Sequence, residues 1–281
     1  MTDFGDEYKE FLRTHKYKAV TAHGQEFKVI DAGSGSHTIV FLNGVDMDEA
    51  WIKYFSAFEP DYRVVLMKYP VAITKNIEMA EALHDLLVKL HIDSPILCGI
   101  SDGGVLAQLY AKMYKAGGLI LMSTLTVDSD YVRSMRKKRY VLPLMKLYFR
   151  NLKFEKMRVR LVESVKRHFR NETEEEKAYA VTFLQCVGED RNYRYRFLRA
   201  ITATADICSL DKFEKECFEY LRGKVLVLIP ENDMFDKADS QNLVDIFTEP
   251  VVKQTYGGHL GMMMRPDLYI EEIRKFLEEK F

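Results

Sequence analysis

Three polar residues of this 281-residue chain have the side-chain types that nucleophilic catalysis requires. Ser101 lies in "GISDGG", which matches the pattern Gly-x-Ser-x-Gly between an apolar run and a helical pattern. A serine hydroxyl is a weak nucleophile unless a base removes its proton, and that base needs a third group to orient it. His259 in "YGGHLGMMMRPDLY" is the candidate base, and Asp233 in "PENDMF" is the candidate acid. The sequence therefore predicts the order nucleophile, acid, base along the chain.

Each assignment has a competing interpretation. The serine motif is also compatible with a plain glycine bend between a strand and a helix. Asp236 and Asp128 are alternative acids, although Asp236 also suits the N-cap of a following helix. His84, His91 and His168 lie within helical patterns, where a surface or packed histidine is the more common role.

The elements that would position these residues follow from the order of apolar segments. Short apolar runs alternate with amphipathic helical patterns, which is typical of a parallel sheet with helices on both faces. The strand-like runs are "EFKVIDA" (26–32), "HTIVFLNG" (37–44), "YRVVLMKYP" (62–70), "PILCGI" (95–100), "GLILMST" (118–124), "GKVLVLIP" (223–230) and "VVKQTYG" (251–257). Helices are predicted over 76–92 and 266–281. Ser101, Asp233 and His259 each follow a strand-like run, so they are expected at the same edge of the sheet.

The alternation stops between residues 124 and 223, where the pattern is helical throughout. One helix start is explicit, because Thr173 can cap a helix while Glu176 reaches back to it. We therefore predict a core formed by 1–124 and 223–281, with a helical lid inserted over 125–222.

Four segments together resemble the α/β-hydrolase fold over nearly the whole chain. "FLNGVDMDEAWIKYF" is similar to the oxyanion loop, "GISDGG" to the nucleophile elbow, "PENDMF" to the acid turn, and "GGHLGMMMRPDLYIEEIRKFL" to the histidine loop and closing helix. The resemblance implies an α/β architecture with a mostly parallel eight-stranded sheet flanked by helices. It also implies a Ser101, Asp233, His259 triad.

The same resemblance implies the rest of the site. The backbone N–H groups of Val45 and Asp102 would form the oxyanion hole. Four residues are expected to line the substrate pocket: Asn43, Gly44, Leu260 and Met262. The carboxylate of Asp102 either discriminates between charged substrates or only starts the helix, where negative charge is favourable.

These features predict a serine hydrolase that cleaves a carboxylic ester or thioester with an apolar acyl or alcohol part. The segments "YRVVLMKYPV" and "TYGGHLGMMMR" are also similar to the maspardin branch of the fold, whose members need not be hydrolases. A non-catalytic ligand- or partner-binding protein and a carbon–carbon bond hydrolase therefore stay open as alternatives. No cofactor and no metal site is predicted, and the substrate is expected to be a small molecule.

Composition restricts the partners and the location. The formal net charge of −1 gives no overall attraction to nucleic acid. No run of about 18 apolar residues occurs, and "MTDFGDEYKEF" lacks the apolar centre of a signal peptide, so a cytoplasmic protein without a transmembrane segment is expected. The four cysteines form no CxxC pair and are expected to be reduced. The oligomeric state is left open.

One part of the predicted lid is strongly basic. Residues 130–170 carry fourteen Lys or Arg and three Asp or Glu, interleaved with aromatic and aliphatic residues. This pattern fits peripheral contact with acidic lipid headgroups or an anionic acyl carrier. It equally fits a solvated outer face with an apolar stripe turned towards the active site, which is the usual arrangement of charged helices.

Overall fold

A computed structural model describes residues 3–138, 140–166, 169 and 172–281, with the exception of the side chain at 165. One eight-stranded sheet runs through it in the order β1-β2-β4-β3-β5-β6-β7-β8. The strands are β1 (Lys18–Ala22), β2 (Gln25–Ala32), β3 (Thr38–Leu42), β4 (Arg63–Lys68), β5 (Ile96–Ile100), β6 (Gly118–Met122), β7 (Val225–Asn232) and β8 (Val251–Gly258). The pairs β1–β2 and β2–β4 are antiparallel and the other five are parallel, which confirms the predicted mostly parallel sheet.

Helices cover both faces of this sheet. They are α1 (Phe4–Thr14), α2 (Ile52–Phe58), α3 (Asn76–Lys89), α4 (Asp102–Tyr114), α5 (Asp130–Lys137), α6 (Val141–Asn151), α7 (Phe154–Lys166), α8 (Glu174–Glu189), α9 (Tyr193–Ile207), α10 (Lys237–Asp245), α11 (Gly261–Met264) and α12 (Pro266–Lys280). Short 3-10 helices span Asp48–Trp51 and Lys215–Leu221.

The central strands are buried on both faces. In β3, Val40 and Leu42 pack into one apolar core, while Ile39 and Phe41 pack into a second core across the sheet. A strand covered twice has no polar face, so its sequence is continuously apolar, and for this reason the central strands were recognisable in the sequence.

Between β6 and β7, the described residues form α5 to α9 and the 3-10 helix Lys215–Leu221, with no strand among them. The helix start at Thr173 forms as expected. Its side chain accepts from the Glu176 N–H at 3.2 Å, and the Glu176 carboxylate accepts from the Thr173 N–H at 2.8 Å. His168, one of the competing histidines, lies outside the described residues.

Candidate active site

Ser101 lies on a sharp turn between β5 and α4. Its backbone has φ +53° and ψ −124°, a strained conformation for a residue with a side chain. A Cβ at Gly99 would lie 2.5 Å from the Gly103 carbonyl oxygen, and one at Gly103 would lie 2.4 Å from the Leu42 carbonyl oxygen. Both glycines are therefore needed for the turn to pack, and the hydroxyl of Ser101 is held above the strand ends.

His259 and Asp233 reach the same place from the ends of β8 and β7. The His259 Nε2 lies 3.2 Å from the Ser101 Oγ, and its Nδ1 lies 2.8 Å from the Asp233 Oδ1. Because a carboxylate accepts hydrogen bonds only, Nδ1 carries the proton and Nε2 presents a lone pair to the hydroxyl. The side chain of Asp233 is 5% exposed and that of His259 is 17% exposed, so this carboxylate–imidazole contact is largely shielded from water.

The competing acids lie elsewhere. Asp236 is the N-cap of α10 and accepts from the Asp239 N–H at 2.9 Å. Asp128 is paired with Arg133 at 3.2 Å. Their contacts assign Asp236 a capping role and Asp128 an ion pair. Among the histidines, His84 stacks on Tyr114 with ring centroids 4.0 Å apart, on the helical layer rather than at the strand ends.

The Val45 N–H faces a carboxylate. Val45 and Asp46 both have positive φ, at 49° and 55°, and this turn aims the Val45 N–H at the Asp102 Oδ1, 2.8 Å away. Burial raises the pKa of Asp102 to about 6, although the Val45 N–H and the charge of Arg199 both act to lower it. Asp102 also starts α4, as one of its two predicted roles requires. The Asp102 carboxylate thus accepts a hydrogen bond from one of the two backbone N–H groups that were predicted to bind an oxyanion.

Two arginines from α9 hold the loop that contains Val45. Arg199 binds both carboxylate oxygens of Asp46, at 2.5 Å each, and both residues are at most 5% exposed. Arg196 binds the Asp46 carbonyl at 2.9 Å, Asp48 at 2.5 Å and Glu49 at 2.9 Å. This network was not predicted from the sequence. Its signal was an acidic loop, "GVDMDEAW", and two arginines three positions apart on one helix face.

A cavity of about 240 Å³ opens beside Ser101 and His259. Its wall is mainly apolar and combines core residues with residues of the 125–222 segment. The apolar contributors are Val45, Met47, Ala50, Ile100, Leu161, Leu184, Phe197, Met234, Leu260 and Met263. Few of them were predicted, because composition alone does not distinguish the inward side chains of the 125–222 segment from its outward ones.

Two of the four predicted pocket residues line this cavity, namely Gly44 and Leu260. Asn43 and Met262 are not among the residues that line it. Asn43 is buried beneath the loop, where its N–H donates to the Tyr69 hydroxyl at 2.9 Å and its side chain donates to the Met67 carbonyl at 2.7 Å. Met262 is fully buried, and the neighbouring Met263 lines the cavity instead.

Among the described residues, no cluster of three or more His, Cys, Asp or Glu side chains has the geometry to hold a metal ion. Within the same residues, no helix is long and apolar enough to cross a lipid bilayer.

No protein-family model matches the chain, and no curated protein matches it. Solved structures do resemble it over nearly its full length. The enol-lactonase from Burkholderia xenovorans LB400 superposes with a TM-score of 0.71 at 17% identity, covering 93% of this chain and 100% of that one. A thermophilic esterase from Thermogutta terrifontis gives 0.67 at 20% identity, with 94% and 97% covered. The naproxen esterase from Bacillus subtilis gives 0.63 at 13% identity, with 98% and 97% covered. The α/β-hydrolase fold expected from the sequence is thereby confirmed.

Proposed function

We propose that this protein is a serine hydrolase that cleaves a carboxylic ester or thioester with an apolar acyl or alcohol part. The observation that carries the proposal is the hydrogen-bonded chain Ser101, His259, Asp233 at the mouth of an apolar cavity. Esterases and a lactonase among the structures of similar fold support the same reaction class.

In this proposal Ser101 Oγ attacks the substrate carbonyl carbon while His259 Nε2 accepts the hydroxyl proton. His259 then returns that proton to the departing alcohol or thiol as its bond to the carbonyl carbon breaks. Asp233 keeps the imidazole in the required tautomer and stabilises its protonated form. A water molecule, activated by His259 in turn, hydrolyses the acyl-enzyme and regenerates the serine.

The N–H groups of Val45 and Asp102 stabilise the oxyanion in this mechanism. Each such donor contributes about 3 kcal/mol to the transition state when it is free. Residues 125–222 act as the lid, since Leu161, Leu184 and Phe197 close the cavity from that side. Their apolar side chains favour an aliphatic or aromatic group in the substrate.

A second candidate function is favoured by one observation. The Val45 N–H already donates to the Asp102 carboxylate, so this predicted oxyanion donor is occupied in this arrangement. A protein that binds a ligand in the cavity without hydrolysing it would keep such an arrangement, and this is the non-catalytic alternative left open by the sequence.

Labelling with a fluorophosphonate probe separates the two functions. We expect the wild type and a surface control, Ser56→Ala on α2, to be labelled and to hydrolyse p-nitrophenyl esters, whereas Ser101→Ala does neither. Absence of both labelling and turnover in the wild type would refute the hydrolase and leave the binding function.

Acyl-chain length tests the apolar cavity. Each buried methylene contributes about 0.8 kcal/mol, so kcat/KM should rise roughly fourfold per carbon from acetate until the cavity is full. A flat series from acetate to octanoate would contradict the proposed acyl site while leaving the nucleophile unaffected.

A further inference from the structure

Helix α6 turns an apolar stripe towards solvent. None of its eleven residues is buried. Val141, Leu144, Met145 and Tyr148 follow the spacing i, i+3, i+4, i+7 and are 41%, 61%, 37% and 48% exposed. A stripe with this spacing normally packs on a protein core. In α6 the outer face of the helix is apolar. The usual arrangement, in which charged residues face solvent and the apolar stripe faces inward, therefore does not hold for this helix.

Neighbouring side chains extend the patch. Tyr140 is 65% exposed, Leu147 is 55% exposed, and Val159 on α7 is 56% exposed. We call the outward residues of 140–148 together with Val159 the α6 surface. Single exposed apolar residues are ordinary, whereas a contiguous group of this kind marks an interaction site.

The rim of the α6 surface is positively charged. Lys137, Lys138, Arg150, Lys153 and Lys156 are all exposed, and none of them is ion-paired with a carboxylate in the part of the chain that the structure describes. Within 137–160 the sequence contains a single acidic residue, at position 155. Because the chain as a whole has a net charge of −1, this positive charge is local to the patch.

We propose that the α6 surface docks onto an anionic lipid bilayer, with α6 lying in the plane of the membrane surface. The exposed Leu, Val, Met and Tyr side chains enter the boundary between headgroups and acyl chains, and the basic rim contacts the lipid phosphates. This arrangement combines the two contributions that a surface-lying helix requires, apolar burial and attraction to negative charge.

The positive charge of the rim favours an anionic bilayer over a second copy of the chain as the partner of the α6 surface. A two-fold symmetric dimer through the α6 surface would place the same basic rims opposite each other. Like charges across an interface oppose association, whereas a bilayer containing acidic lipid supplies the complementary charge.

The docking surface lies close to the cavity but does not depend on the proposed hydrolase. Phe149, on the inner side of α6, packs edge-on against Phe197 with ring centroids 5.0 Å apart, and Phe197 lines the cavity. One aromatic contact thus separates the proposed membrane surface from the proposed substrate site.

Vesicle flotation with the full-length chain tests the proposal. We expect binding to vesicles of phosphatidylcholine and phosphatidylglycerol in a 7:3 ratio, and at least about tenfold weaker binding to pure phosphatidylcholine. Raising the salt concentration from about 0.05 M to 0.5 M should weaken binding severalfold, because salt screens the basic rim.

Matched variants identify the surface. Leu144→Ser/Leu147→Ser should reduce partitioning onto anionic vesicles by about tenfold or more. The control Ile77→Ser/Val88→Ser removes two apolar residues of α3 that are 50% and 54% exposed, and it should bind like the wild type. Lys153→Gln/Lys156→Gln should weaken binding to anionic vesicles only.

Three results would overturn the proposal: no flotation with anionic vesicles, equal losses for the α3 and α6 variants, or a dimer in sedimentation velocity that the α6 variant abolishes. The last would assign the α6 surface to a protein interface. Fluorophosphonate labelling without vesicles reports on Ser101 alone, so failure of the hydrolase and failure of membrane docking are distinguishable.

Discussion

Replacing Asp102 by Asn should increase the activity of the proposed hydrolase on a neutral ester at pH 8. The carboxylate accepts from the Val45 N–H at 2.8 Å, and a substrate oxyanion needs the same donor. Both oxygens would lie within about 3 Å of one nitrogen, so they would be between about 3.5 and 6 Å apart. Two negative charges at about 5 Å repel by about 3 kcal/mol at an effective dielectric constant of about 20, which is roughly 100-fold in rate.

The effect of Asp102→Asn on activity should depend on pH, because the wild-type carboxylate is charged only at higher pH. Burial raises the pKa of Asp102 to about 6, so the wild type carries the opposing charge above pH 6 and loses it below. The assay is kcat/KM on p-nitrophenyl butyrate from pH 5 to 8, expressed as the ratio of Asp102→Asn to wild type. The ratio should be close to one at pH 5 and should rise to roughly 10- to 100-fold at pH 8.

Stability follows the same titration. Because the folded-state pKa lies above that of an unfolded aspartate, Asp102 contributes stability below about pH 4 that is lost as the pH rises through about 6. A shift from 3.8 to about 6 corresponds to about 3 kcal/mol, so Asp102→Asn should gain up to that amount relative to wild type between pH 4 and 7. Asp128→Asn is the control, because its carboxylate is on the surface and paired with Arg133. A ratio that stays flat with pH, or a folded Asp102→Asn protein that is slower than wild type at pH 8, would show that the Asp102 charge does not oppose the oxyanion.

Three further changes test the parts that position the site. Arg199→Met should lower the free energy of unfolding by about 3–5 kcal/mol in urea titrations, because it leaves the buried Asp46 without its partner, whereas the exposed Arg222→Met should cost under about 1 kcal/mol. Gly103→Ala should abolish fluorophosphonate labelling or folding, because its Cβ would lie 2.4 Å from the Leu42 carbonyl oxygen; normal labelling would show that the turn can relax. Asp233→Asn should keep the fold by circular dichroism and lower kcat by about 10⁴-fold, since the imidazole is then held in the wrong tautomer, and a loss below tenfold would argue for a different acid.

Strands of the sheet could be predicted from the sequence where burial requires their residues to be apolar. Strands β3 to β7 were recognisable because their runs are largely apolar and buried, whereas β2 and β8 were recognised from shorter apolar stretches. Strand β1 was missed, because "KAVTA" lies at the sheet edge and only Ala22 in it is buried. An edge strand is defined by its hydrogen bonds to β2, which leave no apolar pattern.

The sequence predicted which turns contribute to the candidate site, but it did not predict the direction of each side chain. Ser101, Asp233 and His259 follow strands, and strand ends converge at one edge of the sheet. Asn43 and Met262 do not line the cavity although their neighbours Gly44 and Met263 do, because the side chains of adjacent residues point in different directions. The ion pairs from Arg196 and Arg199 join segments about 150 residues apart, and no local spacing encodes such a pairing.

Because of the arginine network, the sequence of α9 is more constrained than that of α6. Helix α9 cannot be exchanged for another helix unless the acidic loop changes with it, because each arginine would leave a buried carboxylate behind. Helix α6 contributes no buried side chain and is free of that constraint. A chimera that grafts α6 from another protein of this fold should therefore fold with the acidic loop around Asp46 intact. A graft of α9 should need the three acids of that loop to be transplanted together with it.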